Sequence, residues 1–373
     1  MTAASSAPAP RIVIVTNIPA PYRIPIYQRL AKLLGEDKFH VVFCSAKESN
    51  RDWSMNVSDF PHTFLRTSYI AWRGRYIHYN PDVFRVLRRL KPDVVITTGF
   101  NPTHLLAFVY TRLFNKIHLP KTDGTFESEQ VLSPLHRWIR RWVYKRSKAF
   151  LGASEGAMRL YRSYGIAREL CFQSHLCADN QAFADFPSQP RVYDLMFSGR
   201  FAEVKNPLFA LDVAAGVAKK LNRKISILLL GSGPLLDQAK QHANDLSAYV
   251  DAVFPGFVQQ QDLPGYYAQA KIFLFPTAWD PWGVVANEAC AAGQAIIVSP
   301  HAGVAGELVR NDDNGFVCEL ELATWIEKAH TLLSNESLLT QFSESSRRLV
   351  APYSYDAAAQ GVVDAVANAN RSY

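Results

Sequence analysis

Short β-branched runs alternate with segments of helical period along most of this chain, and that alternation limits the fold more than any single motif does. "RIVIVTNI", "HVVFCSA", "PDVVITTGF", "KIHLPKTDGT" and "AFLGAS" read as strands. Between them, "YRIPIYQRLAKLLG", "PDVFRVLRRLK" and "THLLAFVYTRLFN" place apolar residues at helical spacing. Such β-α alternation predicts a parallel sheet covered by helices on both faces. The rhythm breaks at "DNQAFADFPSQPRVYD", where Pro, Asn, Asp and Gln follow no period, and an interdomain linker is expected at about residues 183–192. A second series then begins with "DLMFSGR", "NPLFALDVAAGVAKKL", "KISILLLGSG", "PLLDQAKQHANDL", "AVFPGFV", "KIFLFPT" and "QAIIVS".

A length of 373 residues suits two domains better than one. The sequence therefore predicts an α/β protein of two doubly wound, Rossmann-like domains facing across a cleft. The expected spans are 1–186 and 187–354, with a last helix at about 355–373 free to pack back on the first. In folds of this kind ligands sit beyond the carboxyl ends of the strands.

Charge is unevenly spread between the halves. Residues 1–186 hold 26 Lys and Arg against 14 Asp and Glu, while the remainder holds 14 against 19. The first half is expected to meet an anionic partner. Nucleic acid is not expected, since no recognition module is evident. The five cysteines, Cys44, Cys171, Cys177, Cys290 and Cys318, form no C-x-x-C pair and read as reduced thiols of a cytoplasmic protein. "MTAASSAPAPR" reads as a polar tail. No uncharged apolar stretch approaches the ~18 residues of a membrane span, so any membrane contact is expected to be peripheral.

Three stretches of the second half carry chemistry. In "WDPWGVVANEACAAG", Asp280 opens a turn and Glu288 lies about one turn into a helix that starts near Gly283–Val284 and stops at Gly293. The free N–H groups of that helix start favour an anion such as a diphosphate. The two carboxylates do not share one helical face, and no His or third acid stands at metal-ligand spacing from them. Either they are separate hydroxyl acceptors around one anion, or Asp280 caps the helix and Glu288 is a solvated surface residue. In "SGRFAEVKNP", Arg200 and Lys205 follow a strand end and could reach a phosphate, or lie on a solvated loop. In "LLLGSGPLLDQ", Gly231 and Gly233 form a turn that lets a ligand approach the backbone. That G-x-G lacks the third glycine and the strand-end acid of a dinucleotide site.

Taken in order, strand-G-R-x(4)-K-N, strand-G-x-G-P, "GFV", "FLFPT", acid-P-x-G-x(4)-E, "AAGQAIIVS" and "GELVRNDDNGF" resemble the C-terminal domain of the retaining glycosyltransferases of family four, which have the GT-B fold. The resemblance is strong over about residues 190–320. It is weaker in the first half, where "NIPAPYRIPIYQRL", "LKPDVVITTG" and "AFLGAS" carry it. It implies that the second domain binds a nucleotide sugar and the first an acceptor. Arg200 and Lys205 would hold the donor diphosphate and stabilise the leaving group. Glu288 would accept from the ribose hydroxyls, and Asp280 from hydroxyls of the donor sugar. The backbone of Trp282, Gly283 and Val284 would contact sugar and phosphate, and the loop with Phe257 and Val258 would receive the base.

The chain departs from the pattern in places. Asp280 stands where the family usually has Glu, which moves the carboxylate by about 1.5 Å. "NIPAPYR" replaces a glycine-rich loop, and "KTDGT" stands where a His is often found. Asp123 is then the candidate to contact donor sugar or acceptor, or else a turn residue of an Asp-Gly loop. No D-x-D motif appears, so neither metal nor cofactor is expected. Closure of the two domains over the donor would exclude water.

"SPLHRWIRRWVYKRSKAF" is the densest basic segment. Leu135, Trp138, Ile139, Trp142 and Val143 form one apolar stripe, most simply facing the core, with Arg137, Arg140, Arg141, Lys145, Arg146 and Lys148 largely outside it. The sharper alternative lays its charged face on anionic lipid or an acceptor pyrophosphate. The leading expectation is thus a retaining, metal-independent transferase of polysaccharide biosynthesis. It would move a hexose-type sugar from a UDP- rather than a GDP-linked donor to a lipid-linked or polysaccharide acceptor, in the cytoplasm or at the inner face of the membrane. A sugar-nucleotide 2-epimerase, a phosphorylase on the same fold, and a non-catalytic nucleotide-sugar or glycan binder are the alternatives.

Overall fold

The computed structural model describes residues 9–48, 57, 59–72, 75–186 and 190–371. The first eight residues of the expected tail and residues 187–189 of the expected linker lie outside the described residues. The chain divides into two compact units, one of residues 1–176 with 355–373 and one of residues 177–354.

The first unit runs β1 (Ile12–Thr16), α1 (Ile24–Leu34), β2 (Phe39–Phe43), β3 (His62–Phe64), β4 (Tyr69–Trp72), β5 (Arg75–His78), α2 (Val83–Leu90), β6 (Val94–Thr97), α3 (Pro102–Leu113), β7 (Ile117–Thr122), α4 (Phe126–Gln130), α5 (Pro134–Tyr144), β8 (Phe150–Gly152), α6 (Glu155–Ser163) and β9 (Cys171–Gln173). Seven strands form a parallel sheet in the order β3-β2-β1-β6-β7-β8-β9. β4 and β5 pair separately as an antiparallel hairpin. Every residue of β1 and β6 is buried, as a sheet covered on both faces requires.

The second unit runs α7 (Asn180–Ala184), β10 (Tyr193–Ser198), α8 (Pro207–Leu221), β11 (Ile225–Leu230), α9 (Leu236–Asp245), β12 (Val250–Gly256), α10 (Leu263–Tyr267), β13 (Ala270–Phe275), α11 (Val284–Ala291), β14 (Ala295–Val298), β15 (Gly315–Val317), α12 (Leu322–Ser334) and α13 (Glu336–Val350). Its six strands are parallel in the order β12-β11-β10-β13-β14-β15. The core of this unit gathers Leu195, Phe197, Ile227, Leu229, Ile272 and Leu274 from the strands against Leu211, Val217 and Trp325 from the helices. The last helix, α14 (Tyr355–Arg371), belongs to the first unit, where it packs on α1, β8 and β9.

The division at residue 176/177 falls ten residues before the position read from the sequence. Part of the stretch without a period is α7, which packs on α10 and α11 of the second unit. Asp179 caps it, accepting from Ala182 N–H at 3.1 Å. Five residues are too few to display a helical period, so this element is invisible to pattern reading.

The apolar stripe of α5 does not face the core along its length. Val143 is buried and Ile139 and Trp142 are partly so, against Phe108, Phe150, Leu160 and Tyr161. Residues 133–138 are all exposed, with Leu135 at 63% and Trp138 at 61%. The first turns of the helix extend past the side chains that pack its second half. Arg140 turns back into the unit, 3.2 Å from the Glu129 carboxylate, with its guanidinium over the Phe100 ring.

Candidate functional site

In the second unit the strand order reverses between β10 and β13. The chain builds outward from β10 through β11 to β12, then returns to the other side of β10. A crevice outside the carboxyl ends of the strands at such a reversal is the usual ligand position in open α/β sheets. The loops that follow β10, β11 and β13 carry most of the residues singled out from the sequence.

After β10, Gly199 donates its N–H to Leu230 O at 3.0 Å. Arg200 is exposed and has no side-chain partner among the described residues. A short turn over Glu203–Lys205 leads to Asn206, whose positive φ of 52° precedes Pro207 at the start of α8. After β11, Gly231 and Gly233 have φ of 129° and 150°. A Cβ on Gly231 would lie 1.9 Å from Gly199 O, and one on Gly233 2.5 Å from Phe201 O. The space that a side chain would take at both glycines is thus filled by this chain's own β10 loop. That close packing of two loops is what demands glycine here.

After β13, Thr277 is a hub. Its hydroxyl, within 2.9 Å of both Val204 O and Trp279 O, serves these two carbonyls, and Ala278 N–H donates to Val204 O at 2.7 Å. Asn206 Nδ2 donates to Pro276 O at 2.9 Å. The loop carrying Lys205 is therefore stitched to the loop carrying Asp280. Their side chains meet: Lys205 Nζ lies 2.5 Å from Asp280 Oδ2. Asp280 Oδ1 accepts from Trp282 N–H at 3.0 Å. Trp282 is buried, with its indole N–H on Asn287 Oδ1 at 2.8 Å and its ring beside Tyr353. Gly283, at φ 105°, opens α11, and a Cβ there would lie 2.3 Å from the Phe275 ring. Val284 is the first helical residue; Ala286 N–H already bonds back to Gly283 O at 2.9 Å, which leaves the N–H groups of Val284 and Val285 without a partner within the helix.

Glu288 is not a solvated surface residue. It is buried, and Tyr267 O–H donates to its Oε2 at 2.7 Å while Gln260 Nε2 lies 3.3 Å from Oε1. The reason is that the whole second half of α11 is enclosed, between β13, β14, α7 and α13. Burial raises the carboxyl pKa to about 7, against the opposing effect of the Tyr267 and Gln260 hydrogen bonds. Phe257 and Val258 follow β12. Phe257 is 39% exposed, beyond Gly256, whose carbonyl accepts from Gly231 N–H at 2.9 Å. An exposed ring beside the glycine loop is a surface on which a flat base could stack.

Asp123 lies in the first unit, just past the end of β7, and pairs with the buried Arg23. Burial is the largest single influence and works against the Arg23 charge, but Asp123 together with Tyr27 and Tyr22 outweighs it and raises the guanidinium pKa. Asp123 Oδ1 is enclosed without a hydrogen-bond partner. Arg23 comes from the "NIPAPYR" segment that stands in place of a glycine-rich loop. Sequence reading identified both segments but not their ion pair, which spans a hundred positions. Tyr267 and Thr277, which hold Glu288 and the Lys205 loop, were also missed, and no local pattern marks them.

Residues 179–349 match the family described as glycosyl transferases group 1, and residues 25–172 match the glycosyl transferase 4-like domain. This chain belongs to the group 1 glycosyltransferases. An uncharacterised glycosyltransferase of Methanocaldococcus jannaschii is 29% identical to it over 121 residues, which span 32% of this chain and 30% of that protein. Its fold is that of a glycosyltransferase from Rickettsia africae, at a TM-score of 0.73 and 15% identity, covering 98% of this chain and 100% of that one. It is equally that of HepE of Anabaena in complex with UDP, at a TM-score of 0.75 and 14% identity, covering 96% and 99%. The glycosyltransferase thus has two parallel α/β sheets of seven and six strands, the GT-B fold.

Proposed function

We propose that this glycosyltransferase moves a hexose-type sugar from a UDP-linked donor to a lipid-linked or polysaccharide acceptor, with retention of anomeric configuration. One observation carries the donor part. The loops after β10 and β13 are stitched together at the strand-order reversal of the second unit, with Lys205 on Asp280 at the turn into α11 and Arg200 exposed on the same β10 loop. The two cations and the helix start suit a diphosphate. As the sugar departs, charge grows on the leaving diphosphate, and groups already aimed at it stabilise that charge without reorganising. Two cations and a helix start supply the countercharge that a bound metal would otherwise provide, which supports a metal-independent reaction. Glu288, one turn into α11, is assigned to the ribose hydroxyls, and Phe257 with Val258 to the base. Asp123 of the first unit, with one carboxylate oxygen unpartnered, is assigned to a hydroxyl of donor sugar or acceptor. The Anabaena relative in fold binds UDP and UDP-glucose, which supports the uridine donor. Membership of the group 1 family supports retention.

The test is a nucleotide-sugar panel read by binding and by slow hydrolysis. UDP-sugars are expected to bind, and Lys205→Ala is expected to lower turnover by about 10²–10³-fold, the usual cost of one such donor. If no nucleotide sugar binds, or Lys205→Ala turns over normally, the assignment is wrong.

The acceptor part rests on α5. Val131, Leu135 and Trp138 are exposed beside Arg137, Arg141 and Lys145, which are exposed too. Apolar tips flanked by cations suit the headgroup region of an anionic bilayer, at the inner face of the cell membrane. Among the described residues no helix is long and apolar enough to cross a membrane, so the contact would be peripheral. Co-sedimentation with phosphatidylglycerol vesicles at low salt is expected, and Leu135→Ser/Trp138→Ser is expected to weaken it several-fold. Absence of binding would remove the membrane from the proposal.

A further inference from the structure

The carboxylate of Asp280 is occupied on both oxygens by this chain. Oδ2 takes the Lys205 ammonium at 2.5 Å, and Oδ1 takes the backbone N–H of Trp282 at 3.0 Å. Both side chains of the ion pair are only 20% exposed. Lys205 is held from other directions as well. Thr277 Oγ1 is 3.4 Å from Nζ, and the Phe275 ring lies beneath it at 5.5 Å. The backbone on either side of Lys205 is stitched to the β13 loop through Val204 O and the Asn206 side chain. An ammonium has three N–H donors. Asp280 and Thr277 engage two, which leaves one for an oxygen of a diphosphate. Aspartate at this position is one methylene shorter than glutamate, so a carboxylate tied to Lys205 and to the turn has little reach left.

We propose that Asp280 is a positioning residue. It aims the Lys205 ammonium and fixes the turn before α11, and it does not accept from the hydroxyls of the donor sugar. The proposal rests on the nucleotide-sugar reading given above and reassigns one residue within it. It differs from the sugar-contact role in a measurable way. A sugar contact acts on UDP-sugar and not on UDP, whereas a group that aims Lys205 at the diphosphate acts on both alike.

Titration calorimetry of the full chain with UDP and with UDP-glucose, before and after Asp280→Asn, separates the two roles. Both ligands are expected to lose about tenfold in affinity, with their ratio unchanged. Loss confined to UDP-glucose would overturn the proposal while leaving the donor assignment standing. A wild-type chain that binds neither ligand would overturn both. Asp280→Asn leaves a half-buried lysine unpaired and could fail to fold, so the pair is also removed together. Lys205→Met/Asp280→Asn is expected to bind UDP-glucose as Lys205→Met does, within about twofold. A further tenfold loss in the double variant would show that Asp280 touches the sugar and would overturn the proposal.

Discussion

At Glu288 the protein accepts the cost of enclosing a carboxylate. Desolvation lifts its pKa from 4.5 to about 7, and the Tyr267 hydroxyl and Gln260 amide only partly offset the effect. The folded state therefore keeps a proton that the unfolded chain releases above about pH 4.5. The contribution of this group to stability is intact below that pH and is lost as the pH rises through about 7. Glu288→Gln has nothing to titrate. Its melting temperature is expected to gain on that of the wild type between pH 5 and 8, in the ligand-free protein, by at most about 3 kcal/mol of stability. Parallel melting curves for the two proteins over that window would refute the account. Holding the group proposed for the ribose in a dry, hydrogen-bonded seat would keep a site preorganised, and such seats are often where stability is given up.

The element that matters most is α11 with the turn before it. The free N–H groups of its first turn, those of Val284 and Val285, are the ones proposed for the diphosphate, and its second half is buried. The aim of the helix depends on Gly283, where a left-handed backbone and the contact with Phe275 both forbid a side chain. Gly283→Ala is expected to cost about 1–3 kcal/mol in chemical denaturation and to weaken UDP binding about tenfold. A variant as stable as the wild type and with the same UDP affinity would show that the turn does not set the helix start. At this scale the sequence was informative about extent and silent about surroundings. A helix starting near 283–284 and stopping before Gly293 could be read from glycines and small residues. The burial of Glu288 could not, because Tyr267 and Gln260 reach it from other elements. The same holds for α5: its period was legible, yet which half of the stripe meets Phe108, Phe150 and Leu160 depends on where those residues stand.

Across the whole molecule, the chain crosses between the two units twice, at 176/177 and at 354/355. The final helix closes the first unit. α14 buries Tyr355, Ala358, Ala359, Val362, Ala365, Val366 and Ala369, and Gly361 lies so near the Gln173 carbonyl that a Cβ would be 1.7 Å from it. Arg29 of α1 pairs with Asp356 at 2.5 Å and covers the Tyr355 ring. Truncation after Ser354 is expected to destabilise the first unit severely, since it exposes the apolar surfaces of α1, β8 and β9. The second unit keeps all its own elements and is expected to go on binding UDP. Two resolved unfolding transitions, the earlier one belonging to the first unit, are the calorimetric signature. A single transition at the wild-type temperature would contradict it.

The sequence by itself determined the class of fold and the identity of the chemical groups. Strand and helix periods are local properties, and a β-α alternation leaves few architectures open. The order of Gly, Arg, Lys, Asp and Glu along the second half was enough to place the family. Tertiary structure decided what those groups do to one another. It set Lys205 on Asp280, Tyr267 on Glu288 and Arg23 on Asp123, over separations of 75, 21 and 100 positions. Side-chain partnership across loops depends on strand order and register, and no local pattern in a single chain encodes these.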